Sequence, residues 1–202
     1  MHTPPSLWEQ IVAANPDHSH WYIQRFRDMA AAGADLDGEA RFIDAMLARG
    51  SRVLDGGCGP GRVGAKLASL GHTVVGVDVD PVLIAAAKED HPGPQWLVED
   101  LCDLDLPARG IADGFDAIVV AGNVMTFLAQ GTHVQALGAL GRHLAPGGRL
   151  VLGFGLGRGY EIEALEADVA TAGLVEELRL GTWDLRPFTA RSDFVVTVLT
   201  AA

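Results

Sequence analysis

The sequence predicts an α/β fold: a doubly wound, mostly parallel sheet of seven strands that ends in a C-terminal antiparallel hairpin. Three observations indicate this fold. From residue 50 onward, short apolar segments alternate with helix-length segments, which is typical of a parallel sheet covered by helices on both faces. A glycine-rich turn at residues 56–64 joins the first apolar segment to a helix. The last two apolar segments have no helix-length segment between them, so we expect them to pair antiparallel.

The first half of the chain carries four predicted strands. They are expected at residues 52–54, 73–77, 95–98 and 115–121. After the glycine-rich turn, Val63, Leu67 and Leu70 recur at helical spacing and predict a helix. Asp80 and Pro81 are a favourable N-cap and first helical residue, so the next helix is expected from there until just before His91-Pro92.

The second half predicts the remaining elements. Residues 101–114 are rich in acids, glycine and proline and are expected to form a loop that has room for one helical turn. Thr132 and Gln135 have the spacing of a capping box, which predicts a helix start. The elements that follow are a strand at 149–154, a helix at 160–171 and antiparallel strands at 174–183 and 194–200.

Length and composition indicate one domain without an export or membrane segment. A chain of 202 residues fits a single domain, which we divide into an N-terminal helical lid at 1–49 and a core at 50–202. We find neither a signal peptide nor a stretch of the ~20 apolar residues that span a bilayer. Cys58 and Cys102 lack metal or disulfide spacing, so no metal site is expected and a reducing cytoplasm is the predicted location. A monomer and a homodimer both remain open.

The charge balance argues against polyanionic partners. The chain has 15 basic and 26 acidic side chains and a formal net charge of −11. Its only lysines are Lys66 and Lys88. Nucleic-acid binders normally carry a basic surface, and anionic membranes attract basic segments, so neither kind of partner is expected.

The glycine-rich turn has two interpretations. Residues 59–64, Gly-Pro-Gly-Arg-Val-Gly, satisfy the G-x-G-x-x-G pattern of dinucleotide-binding proteins. In that pattern the first glycine directly follows the strand, whereas Gly59 lies five positions after Leu54 with the acid Asp55 between them. A carboxylate at this point would repel the pyrophosphate of NAD and attract a ligand that carries a positive group.

Further motifs favour the second interpretation. Asp78 and Asp100 follow the second and third predicted strands, as Asp55 follows the first. Residues 115–120 and 144–152 match a fourth strand and the turn and strand after it. In this order the motifs resemble the class I S-adenosylmethionine-dependent methyltransferases over residues 50–200. The resemblance implies a Rossmann-like methyltransferase fold with S-adenosyl-L-methionine as cofactor.

The resemblance also implies particular cofactor contacts. Asp78 would accept hydrogen bonds from both ribose hydroxyls, and Asp100 would meet the adenine amino group. Other acids crowd Asp100, so an exposed acidic loop is the alternative there. Asp55 would attract the amino group of the cofactor while it caps its own turn. The residues expected to contact the cofactor are Tyr22, Arg25, Asp55, Gly57, Cys58, Gly59, Asp78, Val79, Asp100, Leu101, Ala121 and Asn123.

The N-terminal segment is the predicted lid. Tyr22, Phe26 and Met29 recur at helical spacing and predict an amphipathic helix that packs on the core. In similar methyltransferases a tyrosine and an arginine from such a helix close over the cofactor, and the arginine pairs with its methionine carboxylate. Tyr22 and Arg25 are the expected pair, with Arg27 in reserve; plain packing and solvation are the alternative.

The acceptor side is less defined. His20 and Tyr22 are weak candidates for a catalytic base, and Asn123 sits where the family contacts the methionine moiety and the acceptor. The glycines at residues 153–159 indicate either a mobile loop at the acceptor mouth or a plain connection. His133 and His143 are expected to be exposed or at an interface.

The predicted function is methyl transfer from S-adenosylmethionine to a small-molecule acceptor. The alternatives are methylation of a macromolecule, a cofactor-binding protein without transfer activity, and a nicotinamide oxidoreductase. The acceptor and the methylated atom do not follow from the sequence.

Overall fold

A computed structural model describes residues 3–202 of the chain. Within that range the chain forms eight α-helices and seven β-strands. The helices are α1 (Leu7–Ala14), α2 (His18–Ala31), α3 (Gly38–Ala45), α4 (Arg62–Ser69), α5 (Pro81–Asp90), α6 (Val124–Phe127), α7 (His133–Arg142) and α8 (Ile162–Thr171). The strands are β1 (Arg52–Gly56), β2 (Thr73–Asp78), β3 (Gln95–Val98), β4 (Phe115–Val120), β5 (Leu144–Gly155), β6 (Leu174–Leu180) and β7 (Phe194–Ala201). The predicted lid begins with Met1 and His2, which lie outside the described residues.

The strands form one mixed sheet in the order β3-β2-β1-β4-β5-β7-β6. The first five strands pair in parallel, whereas β7 lies antiparallel between β5 and β6. The predicted fold class is therefore confirmed. The strand order reverses between β1 and β4, and ligands of such sheets bind beyond the carboxyl ends of the strands at this reversal.

Alternate residues of the central strands bury two separate apolar layers. Leu54 and Ile118 face one layer, which α7 and α8 cover. Val53 and Val119 face the other, which α3 and α4 cover. Burial on both faces explains why these strands are nearly continuous in apolar character.

The N-terminal helices differ in how they join the core. The predicted amphipathic helix is α2, but its buried side chains are Ser19 and Ile23, while Tyr22, Phe26 and Met29 are only half-buried. The third helix, α3, buries its apolar residues in the layer beneath the sheet (Ala40, Phe42 and Ile43). The N-terminal 49 residues therefore contain part of the core.

The predicted capping box at the start of α7 is wrong, although the helix begins at the expected place. The Thr132 hydroxyl donates to the carbonyl of Ala129 (2.7 Å), within the preceding turn. The Gln135 side chain donates to the carbonyl of Cys102 (3.1 Å) and so joins α7 to the loop after β3. A hydroxyl that finds a nearer carbonyl acceptor is not free to cap the helix.

Two histidines of this region were expected at the surface and are buried. His133 and His143 are each 8% exposed. One ring nitrogen of His143 accepts from the amide of Leu106 (3.1 Å), and the Nε2 atom of His133 lies 2.9 Å from the carbonyl of Met125. The imidazoles satisfy buried backbone groups, a pairing that the chain pattern alone does not reveal.

Strand boundaries differ from the predictions by more than two residues at two places. β5 begins at Leu144, because this residue pairs with Phe115 before a register shift at the Pro-Gly-Gly turn. β6 ends at Leu180, before the predicted limit of residue 183. In the part of the chain that the structure describes, no helix is long and apolar enough to cross a membrane.

Candidate cofactor-binding site

A cavity opens at the carboxyl ends of β1, β2 and β4, where the strand order reverses. It holds about 990 Å³ of space free of protein atoms, open solvent included. Its floor consists of the glycine-rich turn and the acids after the strands. Its roof comes from α1, α2 and α6. The lining includes Trp8, Tyr22, Phe26, Asp55, Gly57, Cys58, Gly59, Arg62, Asp78, Val79, Glu99, Asp100, Leu101, Ala121, Val124, Phe127 and Leu128.

The glycine-rich turn is fixed to β2 by its backbone. The amides of Gly57 and Cys58 both donate to the carbonyl of Val77, at 2.8 and 3.0 Å. Gly57 has a φ of +71°, and a Cβ at this position would lie 2.4 Å from a methyl group of Val124. The turn therefore requires glycine, both for its left-handed backbone and for the close approach of α6.

Asp55 is a buried carboxylate at the end of β1. It is 2% exposed, and its Oδ2 atom accepts from the amide of Gly64 at 2.8 Å. Burial raises the pKa of Asp55 to about 7, against the opposing effect of the Gly64 amide. Asp55 thus holds the start of α4 and lines the cavity at the same time.

Asp78 is the second buried carboxylate. Its Oδ2 atom accepts from the amide of Gly59 (2.8 Å) and its Oδ1 atom accepts from the amide of Asp80 (2.9 Å). Burial raises the pKa of Asp78 to about 6, although these amides favour the ionised form. Each carboxylate oxygen can accept a further hydrogen bond. Asp78 therefore places a buried acceptor group at the cavity floor.

Asp100 is half-buried in the cavity wall, beyond the end of β3. Its Oδ1 atom accepts from the amide of Cys102 (2.9 Å) and caps a short 3₁₀ turn, Leu101–Asp103. Glu99 also lines the cavity, but it pairs with Arg109 at 2.6 Å. Of these two neighbouring acids, Asp100 is the one without an ion-pair partner within residues 3–202.

Aromatic side chains of the N-terminal helices form most of the roof. Trp8 packs edge to face on Tyr22 (ring centroids 5.2 Å apart) and on Phe127 of α6 (5.8 Å). The Tyr22 ring approaches the turn, since a Cβ on Gly59 would lie 3.7 Å from its Cε1 atom. Burial raises the pKa of Tyr22, which keeps its hydroxyl protonated at neutral pH.

Three predicted site residues lie outside the cavity lining. The Arg25 guanidinium is exposed and lies 5.8 Å from the ring centre of Trp21. His20 is exposed on α2. The Asn123 side chain accepts from the amide of Gly155 (2.7 Å) and so joins the ends of β4 and β5, with its own backbone at a φ of +68°. The reserve residue, Arg27, forms a two-pronged ion pair with Asp90.

Other lining residues were not predicted. Arg62 lines the cavity and forms a two-pronged ion pair with Glu39 of α3, at 2.6 and 2.9 Å. Its place inside the glycine-rich motif is the sequence signal that could have identified it. Trp8 and Phe127 lie far from any motif, and the sequence gives no sign of their contact.

These residues fit S-adenosylmethionine. Two buried carboxylates supply acceptors for hydroxyl and amino groups, while Val79 and Leu101 supply apolar surface beside them. No group of three or more His, Cys, Asp or Glu side chains that could hold a metal ion occurs within residues 3–202.

The fold and the site define a doubly wound α/β protein with a nucleoside-type cleft. A family model described as "Methyltransferase domain" matches residues 53–148. A TehB-like SAM-dependent methyltransferase of Corynebacterium glutamicum, known from its crystal structure, is 46% identical with a TM-score of 0.87; the match covers 93% of this chain and 100% of that one. The chain therefore belongs to the class I S-adenosylmethionine-dependent methyltransferases, which confirms the predicted family and its cofactor.

Curated relatives match over a shorter length. A demethylmenaquinone methyltransferase of Thermus thermophilus is 36% identical over 124 residues, which are 59% of this chain and 54% of that protein. A ribosomal protein methyltransferase of Chromohalobacter salexigens is 34% identical over 127 residues, which are 62% of this chain and 40% of that protein. The chain spans about half the length of the curated relatives it matches. Their names cover both small-molecule and protein acceptors.

Proposed function

We propose that this chain transfers the methyl group of S-adenosylmethionine to a small-molecule acceptor, and that the cavity at the carboxyl edge of the sheet is its active site. The observation that carries the proposal is the buried Asp78 carboxylate, which bridges the amides of Gly59 and Asp80 at the cavity floor. A carboxylate held in this way is prepared for the two hydroxyls of a ribose.

The other floor residues receive matching assignments. Asp100 would accept from the adenine amino group, and Val79 and Leu101 would flank the ring. Asp55 would face the amino group of the methionine moiety across the turn of Gly57, Cys58 and Gly59. Ala121, at the end of β4, would form the wall beside it.

Two cations near the roof could meet the methionine carboxylate. Arg25 has no carboxylate partner within the described residues, and Arg25 and Arg62 both lower the pKa of Tyr22, against the larger effect of burial. Arg62 is already neutralised by Glu39. We therefore keep Arg25, together with the Tyr22 hydroxyl, as the proposed carboxylate contact, and this requires the Arg25 side chain to turn from Trp21 toward the cavity.

Methyl transfer mainly requires the protein to position the methyl donor and the acceptor. When bound, S-adenosylmethionine supplies a methyl group already activated on a sulfonium. Holding the acceptor in line at a near-attack distance contributes ~7–11 kcal/mol. The aromatic roof lends apolar surface to the cavity. Tyr22 keeps its proton at neutral pH, so it serves as a hydrogen-bond donor; His20, on the exposed side of α2, stays a weak candidate for a base.

The proposal of a small-molecule acceptor rests on the net charge of the chain and on the apolar wall of the cavity. The net charge of −11 disfavours nucleic acid as acceptor and anionic membranes as partners. The acceptor end of the cavity, near Val124, Phe127 and Leu128, is apolar. A small, largely apolar acceptor fits this wall better than a macromolecule does. Two buried free thiols fit the predicted cytoplasmic location.

Calorimetry with S-adenosylmethionine, S-adenosylhomocysteine and NAD tests the cofactor assignment. We expect both sulfur ligands to bind and NAD to show no heat, because Asp55 and Asp78 disfavour a pyrophosphate. Asp78→Asn should weaken binding by roughly 2–4 kcal/mol, since it removes a charged acceptor of two hydrogen bonds. The matched control, Asp105→Asn, changes an exposed acid outside the cavity and should leave the affinity as it was. Tight NAD binding without a response to S-adenosylhomocysteine would overturn the proposal.

Labelled S-adenosylmethionine separates the acceptor classes. The purified chain would be incubated with a filtered metabolite extract and, separately, with the protein and RNA fractions of the same cells. We expect label in the metabolite fraction. Label only in protein or RNA would contradict the small-molecule assignment, and binding without transfer in any fraction would favour the non-catalytic alternative.

A further inference from the structure

Residues 3–14, which we call the strap, cross the mouth of the cavity with few attachments. Ser6, Trp8 and Glu9 line the cavity from above. Among the side-chain hydrogen bonds of residues 3–202, two join the strap to the core. The Thr3 hydroxyl donates to Asp103 (2.9 Å) at the surface, and the Trp8 indole nitrogen donates to Asp80 Oδ2 (2.9 Å) in a partly buried position.

Apart from the contacts of Trp8, the strap is only weakly attached to the core. Its helix, α1, has eight residues, and in the described part of the chain no side chain of this helix is buried. Helices of this length are marginal alone, and segments with few buried contacts open at low free energy. A capping box between Ser6 and Glu9 closes the first turn, so α1 can move as a unit. A turn at residues 15–17 joins α1 to α2.

Asp80 is the point where the strap, α2 and the cofactor floor meet. Its Oδ1 atom accepts from the amide of Val82 (2.8 Å) and caps α5, while Oδ2 accepts from both Trp8 and the buried hydroxyl of Ser19. Its own amide donates to Asp78. One side chain therefore ties the roof to the strand end on which the ribose-binding carboxylate stands.

We propose that Asp80 is a positioning residue that latches Trp8 over the bound cofactor, and that opening of this latch sets the rate at which the demethylated product leaves. The inference rests on the proposed function, since it places the product beneath Trp8. Asp80 itself does not line the cavity, so it acts through Trp8 and through the strap. The Trp8 side chain reaches from Asp80 to Phe127 and lines the cavity between them. In the proposed latch, a ligand on Asp78 and Asp100 leaves after Trp8 has moved aside.

Two variants break the latch and keep the surroundings. Trp8→Phe removes the indole donor and retains an aromatic ring against Tyr22 and Phe127. Asp80→Asn retains an N-cap for α5, because asparagine caps about as well as aspartate. If its carbonyl oxygen caps α5, its amide group faces the two donors and accepts from neither. Trp21→Phe is the matched control, since this exposed tryptophan lies outside the cavity.

Stopped-flow release of S-adenosylhomocysteine from the full chain tests the latch. We expect Trp8→Phe and Asp80→Asn each to speed release roughly tenfold, as for loss of a hydrogen bond to a charged group. The double variant should be no faster than Asp80→Asn alone, because Trp8→Phe removes only a bond that Asp80→Asn has already removed. Trp21→Phe should release as the parent does. Release unchanged in both latch variants, or effects that multiply in the double variant, would overturn the proposal.

Hydrogen exchange of the ligand-free chain keeps this test separate from the cofactor assignment. We expect the amides of α1 to exchange faster in Trp8→Phe and Asp80→Asn, with the amides of α5 unchanged, because the cap of α5 is kept. If the parent chain fails to bind S-adenosylhomocysteine, the proposed function is wrong. Hydrogen exchange would still show whether the bond between Trp8 and Asp80 holds α1 in place. Loss of protection in α5 as well would show that Asp80 only supports the fold, and the latch would be wrong.

Discussion

At the scale of single residues, the site depends on carboxylates that are buried before any ligand is present. Asp55 and Asp78 lie within the protein, with backbone amides as their partners. The sequence could predict both acids, because each follows a strand and the carboxyl ends of parallel strands meet at one edge. It could not predict Trp8 as a lining residue, since the place of Trp8 depends on how α1 packs, whereas Arg62 lies inside the glycine-rich motif at the start of α4. The same limit applies to His133 and His143, whose partners are backbone groups of distant loops.

Burial of Asp55 predicts a particular dependence of stability on pH. Its pKa is about 7 in the folded chain, against ~3.9 when unfolded. A raised folded pKa gives stability that is complete below the unfolded pKa and is lost as the pH rises through about 7. Asp55→Asn stays neutral and still accepts from Gly64. We therefore expect the free energy of unfolding of the variant to increase by ~1–2 kcal/mol relative to that of the parent as the pH rises from about 6 to about 8.

Urea unfolding of the variant and of the parent at a series of pH values measures that difference. All of these pH values lie above the range in which protonation of the acidic side chains removes the net negative charge of the chain. Comparison with the parent cancels the other titrating groups, among them Asp78, whose pKa of about 6 contributes in the same direction. A difference that stays constant over this range would mean that the Asp55 pKa is ordinary.

At the scale of elements, the periodic segments were predictable and the ends of the elements were not. Alternation of apolar segments placed the strands because both faces of the sheet are buried. The apparent capping box at Thr132 failed because its hydroxyl has a nearer acceptor in the preceding turn. The start of β5 was missed because Leu144 pairs with Phe115 across a turn that reads as a helix stop. The glycines of residues 153–159 do not all lie in a loop. Gly153 lies in β5 and faces Trp183.

Gly153 and Gly138 therefore predict opposite effects of the same substitution. A Cβ at Gly153 would lie 2.1 Å from the Trp183 ring, which packs on Phe42 at 5.6 Å. Gly153→Ala should destabilise by ~1–3 kcal/mol, because the ring must leave its place. A Cβ at Gly138, in α7, would lie 3.7 Å from the Arg142 guanidinium, which is an ordinary van der Waals contact. Gly138→Ala should stabilise by ~0.5–1 kcal/mol through helix propensity. Thermal unfolding compares the two variants, and equal signs would contradict the packing that we describe at Gly153.

At the scale of the whole molecule, the N-terminal 49 residues join the core to different degrees. The strap touches it mainly through Trp8, whereas α3 places Phe42 and Ile43 in the apolar layer beneath the sheet. Glu39 of α3 also pairs with Arg62 at the cavity. The sequence predicted the lid and the core as two parts of one domain because the motifs begin only at residue 51. It could not divide the lid further, since short amphipathic helices look alike until their packing partners are known.

Two truncations test this gradient. A chain that begins at Asn15 loses the strap and should unfold cooperatively, with a denaturation midpoint close to that of the full chain, because no buried side chain is removed with α1. A chain that begins at Gly50 also loses α3. It should be destabilised by at least ~3–5 kcal/mol, since it exposes the layer that Phe42 and Ile43 cover. Urea unfolding followed by far-ultraviolet circular dichroism measures both. If the shorter chain unfolds as cooperatively and at the same midpoint as the full one, residues 1–49 are a separable lid and α3 does not belong to the core.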